Sequence, residues 1–128
     1  MREVCFVIGR GDAILWADAS DSPAFLPDSR SRWEAIWHHR AELESIVHSH
    51  PMGPSRFSAE DLSTMLALDQ ALGRTLRYCV VAPRVTISRI GNAAVEVLEV
   101  EPWWAGLLRL ASGMNEKQRG ETRGVGYR

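Results

Sequence analysis

Short apolar runs alternate with amphipathic segments along this chain, a pattern typical of strands interleaved with helices. The apolar runs predict a β-hairpin near the N-terminus and four later strands, over residues 4–17, 45–49, 76–82, 85–90 and 94–100. Apolar positions that recur every three or four residues predict helices over residues 33–43, 58–72 and 102–111. The order of these elements predicts an α/β or α+β fold in which helices flank a single central sheet.

Turn-forming residues separate these elements. Asp, Ser and Pro dominate residues 20–31, which predicts a loop at the rim of a site. The tripeptide at residues 10–12, Arg-Gly-Asp, is interpreted as the hairpin turn and not as a cell-adhesion motif, because Gly and Asp are ordinary turn residues. The chain becomes polar and Gly-rich near its end, so we predict one domain over residues 1–112 and a disordered tail over residues 113–128.

Composition limits the partners and the compartment. The chain has 15 Lys and Arg against 16 Asp and Glu, so its charge does not favour nucleic acid or an anionic membrane as a partner. Cys5 and Cys79 both lie in apolar runs, which predicts two buried free thiols and a reducing environment. Neither a signal peptide nor a membrane span is recognisable, so we expect a soluble cytoplasmic protein.

The most informative segment contains two histidines, followed by a serine and an aspartate at fixed distances. One residue separates His48 from His50, seven separate His50 from Ser58, and two separate Ser58 from Asp61. Because side chains alternate along a strand, both imidazoles project from one face while Ser49 projects from the other. Asp61 shares a side of its predicted helix with the apolar stripe that faces the sheet, so its carboxylate points toward the histidines.

Two imidazoles and one carboxylate match the ligand set of a catalytic zinc site, in which the fourth tetrahedral position stays open. Each half of the pattern has an ordinary explanation, since Ser-x-x-Asp is also a helix capping box and strand histidines commonly have no ligand. An acidic side chain on an apolar stripe is costly, however, unless it is paired or bound to metal. The two halves together therefore favour a zinc site at His48, His50 and Asp61.

This pattern resembles the JAMM (MPN-plus) zinc metalloproteases, and in particular their compact prokaryotic members. The resemblance is carried by the His-Ser-His-Pro motif at residues 48–51 with Ser58 and Asp61 at this spacing, and by residues 3–9, which resemble the family strand that begins with a glutamate. It implies a cytidine-deaminase-like sandwich with one mixed sheet. We expect the Trp-rich helix over residues 102–111 to cover a face of that sheet.

The resemblance also implies a role for each site residue. His48, His50 and Asp61 would hold Zn²⁺, which lowers the pKa of a water molecule to near neutral. Glu3 would act as general base and then as general acid, and Ser58 would stabilise the oxyanion. Four other glutamates remain alternatives for the base, namely Glu34, Glu42, Glu44 and Glu60.

The implied function is zinc-dependent cleavage after the C-terminal tail of a ubiquitin-like protein. The partner would be a ubiquitin-like protein or its conjugate, with activating or conjugating enzymes of the same pathway, and neither nucleic acid nor a membrane. One alternative is a maturation peptidase that trims a ubiquitin-like or sulfur-carrier precursor, and another is a non-catalytic MPN-type scaffold. A zinc deaminase would need His-x-Glu and Pro-Cys-x-x-Cys, and this chain contains neither motif.

Overall fold

The computed structural model describes residues 1–114, which form one mixed sheet and three helices. The strands are β1 (Val4–Gly9), β2 (Ile14–Ala19), β3 (Leu43–Ser49), β4 (Arg77–Val81), β5 (Thr86–Ile90) and β6 (Glu96–Val97), and the helices are α1 (Arg30–His38), α2 (Ala59–Leu72) and α3 (Trp103–Ser112). The sheet order is β2-β1-β3-β4-β5-β6, in which β3 and β4 are parallel and the other pairs are antiparallel. The predicted α+β fold with a single mixed sheet is therefore confirmed.

Each face of the sheet has its own apolar core. On one face, Cys5, Val7 and neighbouring strand residues pack with Ile36 of α1 and Met65 of α2. On the other face, Phe6 and alternate strand residues pack against α3, whose Trp104 is 2% exposed. Alternation along the strands divides the apolar side chains between these two layers. The expectation that the Trp-rich helix covers one sheet face is confirmed.

The elements follow the predicted order, but β6 and α1 depart from their predicted bounds. Strand β6 covers only Glu96–Val97 of the strand predicted over residues 94–100. Ser29 caps α1 by accepting a hydrogen bond from the Arg32 N–H, so the helix begins three residues earlier than predicted. It ends at His38, and Leu43 belongs to β3, opposite Gly9 of β1. The predicted helix over residues 33–43 was therefore wrong at its C-terminal end, because the side chain of Leu43 is buried in the sheet core.

The remaining predicted features can be placed individually. Residues 10–12 form a single 3-10 turn between β1 and β2, as expected for a hairpin turn, and Cys5 and Cys79 are buried free thiols. Among residues 1–114, no helix is both long and apolar enough to cross a membrane. Met114 is buried, and residues 115–128 of the predicted tail lie outside the described residues.

Candidate metal centre

Strand β3 places the two histidines beside the start of β1. Cys5 of β1 is paired with His48 of β3 in an antiparallel register, and the same register places Glu3 opposite His50. His50 lies one residue beyond the strand, but its N–H still donates to the Val81 carbonyl at 2.9 Å. The sheet therefore brings Glu3, His48 and His50 to one edge of the core that α1 and α2 cover.

The first turn of α2 brings Asp61 to the histidines. Ser58 is the N-cap of this helix, and a capping box links it to Asp61: the Ser58 N–H donates to Oδ2 at 2.8 Å, and the Asp61 N–H donates to Oγ at 3.0 Å. Met65, one turn later, is buried against the sheet, which fixes the rotation of the helix. Asp61 consequently points inward, as its position on the apolar stripe predicted.

Three candidate donor groups meet at separations that suit a tetrahedral metal ion. The Nε2 atoms of His48 and His50 are 3.1 Å apart, and Asp61 Oδ1 and Oδ2 lie 3.3 Å and 3.5 Å from them respectively. Ligand atoms that each lie 2.0–2.1 Å from a tetrahedral zinc ion are about 3.3 Å from one another. The donor set therefore fits zinc in its chemistry, and each histidine has an Asp61 oxygen at about this spacing.

A neighbouring carbonyl determines which ring nitrogen of His50 carries a proton. Its Nδ1 atom lies 2.9 Å from the Pro54 carbonyl oxygen. Because a carbonyl can only accept, Nδ1 carries the proton, and the neutral ring then has its free electron pair on Nε2. Histidine ligands of metal ions are commonly oriented by a hydrogen bond of this kind on the other ring nitrogen.

Glu3 is a second carboxylate beside the histidines and is firmly held. One of its carboxylate oxygens and one ring nitrogen from each histidine all lie within 4.8 Å of one another. The Glu3 side chain is buried. The backbone N–H of Glu3 donates to the Ser22 carbonyl at 2.8 Å, and its backbone carbonyl accepts from the Ser20 N–H at 2.9 Å. Asp61 contacts both imidazoles, and Glu3 is a further candidate donor beside them.

The surroundings move the pKa values of the two carboxylates in opposite directions. Burial raises the pKa of Glu3, and the charges of His48 and His50 offset this only in part. Burial opposes ionisation of Asp61 as well, but hydrogen bonds from both histidines outweigh it and hold the pKa of Asp61 well below its usual range. Two acids with such different pKa values suit different tasks, an ionised ligand and a group that exchanges protons.

The same hydrogen bonds act on the imidazole of His50. Burial disfavours its charged form, but its hydrogen bonds to Asp61 and to the Pro54 carbonyl outweigh burial and raise the pKa of His50. In the metal-free protein these interactions therefore favour a proton on Nε2 of His50, close to the position that a metal ion would take. A metal ion and this proton compete for the same nitrogen.

A cleft of about 690 Å³ opens above these groups. One wall is formed by residues 24–28, so the predicted loop, which ends at Ser29, lies at the rim of this cleft. The start of α2 contributes Ser58 and Glu60. Of the four alternative glutamates, all are exposed, and only Glu60 lines this cleft. Neither its exposure nor its position favours it over Glu3.

The sequence analysis missed Arg32, which anchors the cleft wall. Its guanidinium donates to both carboxylate oxygens of Asp18, at 3.2 Å and 2.8 Å, and to the Pro27 carbonyl at 2.9 Å. The Arg32 side chain is only 8% exposed, so this pair ties the loop to β2 within the protein interior. The apolar pattern gave no signal for it, because Arg32 lies in the polar first turn of α1.

The fold and the donor set define an α+β domain with a candidate metal centre beside a cleft. A family model described as prokaryotic homologs of the JAB domain matches residues 4–99, three quarters of the chain. The chain therefore belongs to this family, and the resemblance to a compact prokaryotic JAMM-type member is confirmed. Comparison with curated proteins gives no significant match. The family includes metalloproteases and inactive members, and the match ends before α3.

Proposed function

We propose that this protein is a zinc-dependent isopeptidase that releases a ubiquitin-like protein from its conjugates by cleaving after the C-terminal tail. The observation that carries the proposal is the approach of Asp61 to both imidazoles at tetrahedral ligand spacing, with the buried Glu3 carboxylate beside them. A buried acid next to three donor groups supports a catalytic role over that of a non-catalytic scaffold. Such an arrangement is costly unless it has a task.

Zinc held by His48, His50 and Asp61 would polarise the scissile carbonyl and lower the pKa of a water molecule. The raised pKa of Glu3 suits a carboxylate that takes a proton from the attacking water and then donates it to the departing lysine amine. The Oγ atom of Ser58 accepts a hydrogen bond from the Asp61 N–H. The hydroxyl proton of Ser58 is thus available to the substrate carbonyl oxygen as negative charge develops on that oxygen.

Neither cysteine of the chain is a suitable nucleophile. Burial raises the pKa of Cys5 to about 12 and that of Cys79 to about 11, so neither thiol ionises near neutral pH. The raised thiol pKa values thus support direct attack by water over a cysteine mechanism. Two free thiols also accord with a reducing cytoplasm as the compartment in which the protein works.

The shape of the cleft supports the proposed substrate class. An extended tail with small residues would lie between residues 24–28 and the start of α2, where Ala24 and Gly53 are among the lining residues. We expect main-chain hydrogen bonds to contribute much of the affinity, as in other cases of strand addition. The same geometry would serve a maturation peptidase that acts on a linear precursor, which is the second candidate function.

The test uses the purified full chain with zinc and a panel of ubiquitin-like proteins, each joined to lysine by an isopeptide bond or to a linear extension. We expect the wild type to cleave, a chelator to stop cleavage, and added zinc to restore it. Glu3→Gln should lower kcat by about 10² to 10⁴ while retaining zinc. Glu60→Gln is the matched control, because Glu60 is an exposed glutamate at the same cleft.

The outcomes separate the candidates. Cleavage of the linear substrates alone would favour the maturation peptidase. A protein that binds no zinc would favour the scaffold. The proposal fails for the tested substrates if the wild type cleaves none of them faster than Glu3→Gln does.

A further inference from the structure

Ser49 lies between the two histidines in the sequence but faces the opposite side of the sheet. Its side chain is fully buried, and its Oγ atom accepts a hydrogen bond from the Val4 N–H at 2.9 Å. Val4 is the residue directly after Glu3. A side chain of the strand that carries the histidines therefore holds the backbone next to Glu3.

Ser112, at the end of α3, completes this connection. Its hydroxyl donates to Ser49 Oγ at 2.5 Å, and its carbonyl accepts the Arg2 N–H at 3.0 Å. Arg2 Nε also donates to the Ala111 carbonyl at 3.2 Å. Both chain neighbours of Glu3 are thus tied to the same turn of α3, Arg2 directly and Val4 through Ser49.

We propose that Ser49 and Ser112 are positioning residues that hold the Glu3 carboxylate beside His48 and His50, an inference that rests on the proposed hydrolytic function. Glu3 precedes the first residue of β1, so its position depends on contacts with other elements. A displacement of about 1 Å at a catalytic group can lower the rate by about 10². Ser49 lies within the part of the chain that the family model matches, whereas Ser112 lies beyond it, on α3.

The test compares Ser49→Ala and Ser112→Ala with the wild type, each without an N-terminal tag. We expect kcat to fall by about tenfold to a hundredfold, while KM changes by less than about twofold and bound zinc is unchanged. The value of KM is expected to stay nearly unchanged because neither serine lines the cleft. Far-UV circular dichroism and thermal melting identify a variant that fails to fold, in which case the other variant carries the test.

The matched control is Ser88→Ala. Ser88 is also a buried serine of the sheet, and its hydroxyl accepts a hydrogen bond from Arg77 at 2.6 Å, but it lies on β5, away from Glu3. We expect it to lose comparable thermal stability and to retain kcat. Equal losses of kcat in Ser49→Ala, Ser112→Ala and Ser88→Ala would overturn the proposal, as would a change confined to KM.

A second measurement needs no substrate. Amide hydrogen exchange at Val4 should become at least about tenfold faster in Ser49→Ala, increase less in Ser112→Ala, and stay unchanged in Ser88→Ala. Unchanged exchange at Val4 in Ser49→Ala would overturn the inference whatever the activity. If the wild type cleaves no substrate, the proposed function fails, and the exchange result alone decides whether the two serines hold this segment.

Discussion

The Asp61 carboxylate lies 3.3 Å from Nε2 of His48, and this contact joins the first turn of α2 to the end of β3. Without a metal ion, a proton must occupy the space between these groups, because two imidazole nitrogens and a carboxylate at this spacing otherwise present only electron pairs. A zinc ion would replace that proton and satisfy all three groups. Zinc should therefore stabilise the folded protein.

We predict that the wild type binds one zinc ion per chain and melts at a higher temperature when zinc is present. Free zinc at a hundred times its Kd should stabilise the fold by about 2.7 kcal/mol. Asp61→Asn keeps the shape of the side chain but removes its charge, and it should weaken zinc binding by more than about tenfold. Competition with a chromophoric chelator measures both affinities.

His38→Ala is the control for this prediction, because His38 is an exposed histidine of α1 that does not line the cleft of the metal centre. It should bind zinc as the wild type does. Equal zinc affinity in Asp61→Asn and in the wild type would show that Asp61 is not a ligand.

Ser58 is predicted to have two roles that a matched serine can separate. Ser58→Ala removes the N-cap of α2 and should cost about 1 kcal/mol of stability. Ser29→Ala removes the corresponding cap of α1, where Oγ accepts the Arg32 N–H at 3.2 Å, and should cost a similar amount. Only Ser58→Ala should also lower kcat, by about 10² to 10³, because it removes an oxyanion donor.

Urea unfolding and steady-state kinetics on both serine variants measure these effects. Zinc content is determined in parallel, because the capping box also orients Asp61. If both variants retain full kcat, Ser58 is a helix cap and has no catalytic role.

The buried thiols predict a loss of stability at alkaline pH. Burial raises the pKa of Cys5 from its ordinary 9.0 to about 12 and that of Cys79 to about 11. Above pH 9 the unfolded chain releases protons that the folded chain keeps, so the stability that is fully present below pH 9 falls as the pH rises. Each thiol should contribute about 1 kcal/mol per pH unit.

Urea unfolding under reducing conditions between about pH 8 and about pH 10 checks this slope. Burial also raises the pKa of Tyr78, but its contribution begins only above pH 10. Cys5→Ala should reduce the slope, even though it lowers the stability at every pH.

An alkylating reagent at neutral pH should leave both thiols and the activity of the folded protein unchanged. Inhibition by alkylation would contradict the water mechanism.

Replacing either of two arginines of α1 by Met should have very different effects on stability. Arg32→Met leaves the partly buried carboxylate of Asp18 without its partner and should destabilise the fold by about 3 kcal/mol. It should also raise KM, because Arg32 holds the cleft wall through the Pro27 carbonyl. Arg30→Met breaks only an exposed ion pair with Glu34 and should change stability by less than about 0.5 kcal/mol.

Thermal melting and substrate titration of both arginine variants test this pair. Equal losses of stability would mean that the Arg32 ion pair contributes no more than a surface pair. An unchanged KM in Arg32→Met would mean that the loop keeps its position without this anchor.

The secondary structure could be predicted from the sequence wherever local interactions determine it. Helix α2 is the clearest case, since Ser58 caps its start and Gly73 ends it with a φ of 72°. Leu43 shows the limit of such reasoning, because its spacing continues the apolar face of α1 while the structure pairs it with Gly9 of β1. Long-range strand pairing decided its place, and no local pattern records such pairing.

The sequence by itself determined the candidate donor set and its local geometry. Alternation along a strand sends His48 and His50 to one face, and the helical period turns Asp61 toward the sheet, because both effects act within a few residues. Only the tertiary structure decided that Glu3 lies beside them and that Ser112 holds it there. These contacts join β1, β3 and α3 across up to 109 residues of sequence, where packing and strand register, and not local periodicity, bring the groups together.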